Sequence, residues 1–386
     1  MPGHIGVGLI GTGFMGRSHA FAYNSVKAIF GDVLAPKRLV LCDLDEAVAK
    51  QRANEFGFER STTHWREVIA DPAVELVSIT TWNGTHKQIA IAALEAGKHV
   101  YCEKPMALSL KHAEEMAAAA RKAKTSVTML GYNYVKNPAV QSMKRLIAGG
   151  VIGDIIDFRG NVDEDYMADP MLPWSWRLKA ADAGLGTLGD ITCHLISLAL
   201  DVVGPIAKLT ALLDTVHKQR PLADKPGEDG AVENDDVAHA LLRFKNGARG
   251  TIASSRVAHG RKNVLRIEVH GTKGMLVFDQ ERMNELQLYT ADGPKETRGF
   301  RTILTGPQHP PYDRFVPAPG HQLGFNDMKA IELAHLLRAI KGEVKPYMSF
   351  EDGLKIEYVI DAIVRSAKEG VWVEVVSGRF GALVAR

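Results

Sequence analysis

From the N-terminus to about residue 135, short apolar runs alternate with stretches in which apolar residues recur at helical spacing. The runs are "IGVGLIG", "RLVLCD", "ELVSIT", "HVYC" and "SVTML", and the helical stretches between them cover residues 14–28, 45–56, 84–96 and 108–123. Runs rich in Val, Ile and Leu that alternate with helices predict a parallel, doubly wound sheet with helices on both faces, an α/β domain over residues 1–135. After about residue 150 the runs lengthen, as in "GDIIDFRGNVDED", "AHALLRFKNGARGTIASSRVA" and "NVLRIEVHGTKGMLVFD". The turn signals "KNG" at 245–247 and "TKG" at 272–274 sit inside them and predict hairpins. With helical patterns at 186–203, 326–341 and 351–369, residues 136–386 read as an α+β domain built on a large open, mostly antiparallel sheet.

Two Pro- and Gly-rich loops, 217–230 and 306–324, are long enough to cover a site or contact a partner subunit. Composition alters little: 46% of the 386 residues are hydrophobic and 24% charged, as in ordinary globular proteins. Lys and Arg total 47 against 45 for Asp and Glu, so a net charge of +2 offers no general field for nucleic acid or an anionic membrane. The expected partner is a small molecule. Cys42, Cys102 and Cys193 are scattered, which fits a reducing cytoplasm, and neither a leader pattern nor a long uninterrupted apolar run predicts membrane targeting or insertion.

The chemistry begins at "GLIGTGFMGRSHA", where Gly11, Gly13 and Gly16 follow the first strand and open a helix in GxGxxG spacing. Gly11 permits a tight turn, Gly13 lets backbone approach a pyrophosphate, and Gly16 allows close packing of helix on strand. The helix N-terminus supplies N–H donors, and the loop Gly11-Thr12-Gly13-Phe14-Met15-Gly16 is the predicted dinucleotide cradle. The second strand ends at Asp43, a carboxylate placed to hold ribose hydroxyls. It lies 27 positions after Gly16 (43 minus 16), against the usual spacing of about 20, which a longer first crossover explains. No Arg or Lys follows to receive a 2′-phosphate, so NAD is favoured over NADP.

Lys104 follows the strand "HVYC" directly, at the sheet edge where cofactor and substrate meet in such folds. It reads either as a solvated loop lysine or as a group that holds a substrate oxygen and relays a proton. Asp190 and His194 are four residues apart in a helical stretch, hence on one predicted face. They are equally a structural pair or a general base with its carboxylate. The 14 histidines show no HExxH and the cysteines no paired CxxC, so no metal is expected. A GxSxG elbow is missing as well.

Together these segments resemble the Gfo/Idh/MocA family, named for glucose–fructose oxidoreductase, inositol dehydrogenase and a rhizopine catabolism protein. The likeness runs nearly the whole chain, through the glycine loop, "ITTWNGTHKQIAIAALEAGKHVYCEKPMAL", "GLGTLGDITCH" and the ending "FEDGLKIEYVIDAIVRSAKEGVWVEV". The resemblance implies Lys104 as the active-site lysine, His194 as general acid/base, and Asp190 as a substrate-binding companion. It places Thr81, Asn83, His86, Glu103 and Asn133 beside the cofactor, with Glu103 and Pro105 shaping the turn that presents Lys104. Trp82 stands where the family has proline, and Ser197 where many members have aspartate. "DYMADPMLPWSWRLKA" is similar to the levoglucosan dehydrogenase-like and inositol dehydrogenase-like branch, which makes Tyr166 a candidate substrate contact and Trp176 and Arg177 candidates near the cofactor. Tyr312 and His321 are candidates for closing over a ligand. The resemblance further implies a homodimer or homotetramer and NAD-dependent oxidation of a secondary hydroxyl of a cyclic sugar, anhydrosugar or inositol-like polyol. Two alternatives stand beside it: an NAD-dependent glycosidase that oxidises transiently, and a non-catalytic NAD-sensing regulator.

Overall fold

In the computed structural model, which describes residues 3–376, the apolar runs of the first region become β1 (His4–Ile10), β2 (Ala35–Cys42), β4 (Leu76–Ile79), β5 (His99–Cys102) and β6 (Thr128–Leu130). They are linked by α1 (Phe14–Phe30), α2 (Glu46–Phe56), α4 (His86–Glu95) and α5 (Leu110–Lys122). A short strand β3 (Arg60–Thr62) and a six-residue helix α3 (Trp65–Ala70) complete the set; "RST" is too short and polar to announce itself as a strand. All six strands are parallel, in the order β3-β2-β1-β4-β5-β6. Val7, Leu9, Val77, Ile79 and Val100 are wholly buried, as a sheet covered on both faces requires. The strand order reverses between β1 and β4, and the crevice at their carboxyl ends is where such sheets bind ligands.

The second compact unit begins at Asn137. It contains α6 (Pro138–Ala148), β7 (Ile155–Asp163), the short α7 (Ala180–Ala183), a π-helical turn Leu188–Thr192 and α8 (Cys193–Val202). Then come β8 (Ile206–Asp214), a ribbon of β9 (Gln219–Pro221) and β10 (Asp229–Ala231), and the hairpins β11 (Val237–Phe244) with β12 (Arg249–Ser255) and β13 (Val264–Gly271) with β14 (Gly274–Asp279). The turns read as "KNG" and "TKG" join these two hairpins. The strands β15 (Glu285–Thr290) and β16 (Arg301–Leu304), and the short helix α9 (Tyr312–Phe315), precede two long helices, α10 (Phe325–Ile340) and α11 (Phe350–Glu369), and a final strand β17 (Val373–Glu374). The nine-stranded sheet runs β16-β15-β14-β13-β7-β12-β11-β8-β17, antiparallel except between β7 and β12. In β11 the residues Ala238, Ala240, Leu242 and Phe244 are buried and Leu241 is exposed, the alternation of a sheet with one covered face. Gly160 on β7 lies directly beneath Leu195 of α8, where a Cβ would come within 2.5 Å of the leucine side chain.

The stretch Ala180–Val202 is long and apolar enough by composition to cross a membrane, but 78% of its apolar window is buried inside the fold, as for a core helix. Residues Leu323–Leu354, assigned by the sequence pattern to the second domain, pack with the first unit, where α10 lies against α1. Phe325 at the start of α10 stacks on Phe14 with ring centroids 5.5 Å apart. The three cysteines are buried and unpaired by disulfide, and burial together with Asp43 and Glu67 pushes the Cys42 thiol up to about 12.

Candidate active site

The glycine loop is pinned between three strands. Gly11 adopts φ 96°, donates its N–H to the Cys42 carbonyl at 2.9 Å, and accepts from the Thr80 hydroxyl at 2.8 Å. A Cβ on Gly11 would meet the Thr80 carbonyl group at 2.8 Å, and one on Gly16 would sit 2.3 Å from the Gly11 carbonyl oxygen, so both positions admit only glycine. Gly13 faces open space and is the residue preceding α1. That helix start has no side-chain cap and no acidic residue in its first turn, which leaves its N–H groups for an anion. The Thr12 hydroxyl donates to Oδ2 of Asp43, fixing the carboxylate at the end of β2. Phe14 is exposed and Met15 half-buried.

Two further loops reach the same edge of the sheet. After β4 come Thr81, whose hydroxyl lies 2.5 Å from that of Thr85, then Asn83, half-buried, and His86. His86 is completely buried, with Nδ1 2.9 Å from the Pro105 carbonyl and Nε2 3.1 Å from the Thr81 carbonyl. Burial holds this imidazole below its ordinary pKa, and the neutral ring has one N–H for the two carbonyls it spans. The ring is thus packed between the β4 loop and the turn after β5, and donates to one of the two carbonyls. That turn carries Glu103, buried, and Lys104, half-buried, with a cis bond between Lys104 and Pro105. Asn133, in the turn after β6, is 2% exposed, and its Nδ2 has no hydrogen-bond partner among the described residues. A glycine cradle, an open helix start and a fixed Asp43 carboxylate fit a bound dinucleotide, and the open amide donor of Asn133 lies after β6 of the same sheet.

The second unit positions the other candidates. Asp190 lies in a π-helical turn and His194 in the first turn of α8, so the helix that the four-residue spacing predicted opens with a wider turn. Such a π-helical turn is a local irregularity frequent at functional sites. Oδ2 of Asp190 accepts from the Tyr166 hydroxyl at 3.0 Å. Burial, then the Asp190 charge, raises the Tyr166 phenol well above its ordinary value, so it remains a donor. His194 is 7% exposed, and its carbonyl accepts from the Ser197 hydroxyl at 2.7 Å. The Arg177 guanidinium packs 4.7 Å over the Trp176 ring, and the Arg177 carbonyl accepts from Asn234. In the late loop Tyr312 is 1% exposed and donates to the His321 carbonyl, so its hydroxyl secures the loop itself. Among the described residues no cluster of His, Cys, Asp or Glu could hold a metal ion.

Sequence reasoning passed over the residue that starts this helical segment. Asp235 is 6% exposed, and its carboxylate accepts from Gly186 N at 2.8 Å and Leu188 N at 2.7 Å, while its carbonyl accepts from Thr187 N at 2.8 Å. One residue thus satisfies three successive N–H groups, and Gly186 is required because a Cβ would lie 1.9 Å from the Asp235 carbonyl oxygen. Its neighbour Asp236 binds Arg256 at 2.8 Å in a wholly buried pair. The signal was "ENDD" just before a strand, where three acidic residues beside an asparagine are unusual.

Residues 5–131 match a family model described as an oxidoreductase family with an NAD-binding Rossmann fold, and residues 140–277 match the GFO/IDH/MocA C-terminal domain. A levoglucosan dehydrogenase from Pseudarthrobacter phenanthrenivorans is 42% identical over 386 residues, covering 96% of this chain and 98% of the relative. A myo-inositol 2-dehydrogenase from Thermotoga maritima is 27% identical over 90% of this chain and 91% of its own length. A solved levoglucosan dehydrogenase in complex with NADH and levoglucosan superposes with a TM-score of 0.93 at 41% identity, covering 97% of this chain and 100% of that one.

Proposed function

The chain belongs to the GFO/IDH/MocA oxidoreductase family, uses NAD and acts on sugars or polyols, and from that premise we propose that it oxidises a secondary hydroxyl of an anhydrosugar of the levoglucosan type to a ketone. What supports this substrate over an inositol or an open sugar is the extent of likeness to the levoglucosan dehydrogenase, 42% against 27% for the inositol enzyme. The nicotinamide, when bound, supplies the acceptor for the hydride that leaves the carbinol carbon.

This chain's residues do the rest. His194 takes the hydroxyl proton, Lys104 donates a hydrogen bond to the substrate oxygen, and Asp190 accepts from a neighbouring hydroxyl. Loss of one hydride and one proton converts CH–OH to C=O, so no further reactant is needed. Asp43 holds the ribose hydroxyls, and Thr81, Asn83, Asn133, Trp176 and Arg177 line the cofactor. Glu103 and His86 act from beneath, by holding the Lys104 turn. The exposed sheet face, where Leu212 is 61% and Leu241 51% accessible, supports assembly as a homodimer or homotetramer; light scattering of the pure protein distinguishes these from a monomer.

The test is a panel of levoglucosan, myo-inositol and common cyclic sugars with NAD or NADP, following absorbance of the reduced cofactor. Turnover greatest for the anhydrosugar with NAD is expected. Turnover of inositol alone would refute the substrate, sugar cleavage without net NADH would point to a transiently oxidising glycosidase, and tight NAD binding with no turnover on any polyol would point to a regulator.

A further inference from the structure

Beneath the Lys104 turn, the core of the first unit contains an ionic cluster. The Lys329 ammonium, on α10, donates to Oε1 of Glu103 at 2.6 Å and to Oε2 of Glu332 at 2.9 Å, and the three side chains are 0%, 4% and 2% exposed. Oε1 of Glu103 also accepts from Nε2 of His19 at 2.8 Å, and Nδ1 of His19 lies 2.8 Å from the Ser78 hydroxyl. The Tyr101 hydroxyl donates to Glu332, and the His19 ring stacks on the Tyr101 ring with centroids 4.1 Å apart. Burial lowers the His19 pKa, which leaves it neutral, so donation to Glu103 from Nε2 makes Nδ1 an acceptor from Ser78. The His19 tautomer and the directions of its two hydrogen bonds are thereby set.

A buried ion pair is weak evidence for stability, because apolar residues of similar volume often do as well or better in its place. The contact that explains its presence is the other carboxylate oxygen: Oε2 of Glu103 accepts the backbone N–H of Lys104 at 3.3 Å. Gly131 makes room for this carboxylate, since a Cβ there would come within 2.5 Å of Oε1. Four residues before Lys329 on the same helix, Phe325 stacks on Phe14 of the glycine loop. One rigid helix thus touches both the cofactor loop and the residue that precedes Lys104.

We propose that Lys329, acting through Glu103 with Glu332 as its second anchor, is a positioning residue for Lys104, setting the backbone of the turn from which the lysine reaches substrate. The inference rests on the reading of Lys104 as an active-site residue. Long-chain lysine tips are sensitive to the backbone beneath them, and a displacement of about 1 Å can lower turnover about a hundredfold.

The experiment compares Lys329→Met, the neutral pair Glu103→Gln/Lys329→Met, and Lys104→Ala, each assayed with levoglucosan and NAD and monitored for cooperative thermal unfolding. In Lys329→Met, kcat falls at least about tenfold while KM for NAD stays within about twofold. The double variant removes the Glu103 charge as well, and Glu332, whose pKa burial already raises, takes up a proton; folding is restored, yet kcat stays low. Wild-type kcat in a folded Lys329→Met protein overturns the proposal, and so does recovery of wild-type kcat in the neutral pair, which would reduce the cluster to matched charges. An impaired Lys104→Ala beside unimpaired Lys329 variants sinks the positioning role alone. Unimpaired Lys104→Ala sinks the reading of Lys104 and the positioning role with it.

Discussion

The phenol of Tyr166 donates a 3.0 Å hydrogen bond to Oδ2 of Asp190. In the proposed role of Asp190, this bond fixes the orientation in which its carboxylate meets a substrate hydroxyl. Tyr166→Phe removes this donor and its share of the carboxylate's orientation. A hydrogen bond to a charged group contributes about 1.5–3 kcal/mol, so kcat/KM for the sugar falls roughly tenfold to a hundredfold, with KM for NAD unchanged. Steady-state kinetics with each substrate varied in turn decides it; equal losses on both substrates would refute an effect confined to Asp190.

Asp235 sets the helical segment that carries Asp190 and His194. Asp235→Ala leaves the Gly186 and Leu188 N–H groups without acceptors, at about 1–3 kcal/mol for each buried unmet donor. A lowered Tm is expected, with turnover reduced even at temperatures where the protein is folded. An unchanged Tm in differential scanning calorimetry would show that water replaces the carboxylate at no cost.

Asp43 is oriented by the Thr12 hydroxyl before any ligand arrives. On the role proposed for Asp43, Asp43→Ala removes the acceptor for the ribose hydroxyls and the charge that repels a 2′-phosphate. KM for NAD rises about tenfold or more, kcat changes little, and the preference for NAD over NADP narrows. Unaltered cofactor preference in paired NAD and NADP titrations would place the ribose elsewhere.

His335 gives the fold a pH dependence. Burial, then the Lys136 ammonium whose Nζ is 3.2 Å from Nδ1, lowers its pKa from 6.5 to about 4, while Nε2 contacts the Lys345 carbonyl at 3.0 Å. Between those values the unfolded chain binds a proton that the folded chain does not, so stability falls as the pH drops from 6.5 to about 4. Burial also lowers His19, His86, His99 and His309, and these add to the slope in the same direction. His335→Gln keeps a donor for Lys345 and an acceptor for Lys136 but cannot titrate. Its Tm changes less across that interval than the wild type's, and parallel curves would refute the role of His335.

Much of this was legible in the chain because the signals were local. The glycine spacing follows from backbone contacts within a few residues, and alternation of apolar runs with helices follows from a sheet covered on both faces. The π-helical turn was not legible, since Asp190 and His194 keep helical spacing in sequence and only the three N–H groups gathered by Asp235 show how the segment begins. Nor was the return of Leu323–Leu354 to the first unit. Lys329 and Glu332 are charges within the apolar stretch "DMKAIELAHLL", and their partner Glu103 lies 226 positions from Lys329. No local pattern can reveal such a pairing.

The roles proposed for Lys104 and His194 separate by the pH at which each is needed. A general base supplies about a hundredfold to ten-thousandfold, so His194→Ala loses at least about a hundredfold in kcat. Its residual rate rises with pH, because hydroxide and water replace the missing imidazole as proton acceptor. Lys104→Ala loses about as much through positioning, but higher pH does not repair a substrate oxygen that is no longer held. Asparagine at 194 is the sharper test, since it retains a polar side chain of similar reach without a titratable nitrogen. Rate against pH for His194→Asn should therefore lose the inflection that a histidine base gives the wild type, while the sugar KM stays within a few-fold. An inflection that persists in His194→Asn would assign the proton to another group, and near-wild-type turnover in both Lys104→Ala and His194→Ala would remove them from the reaction altogether.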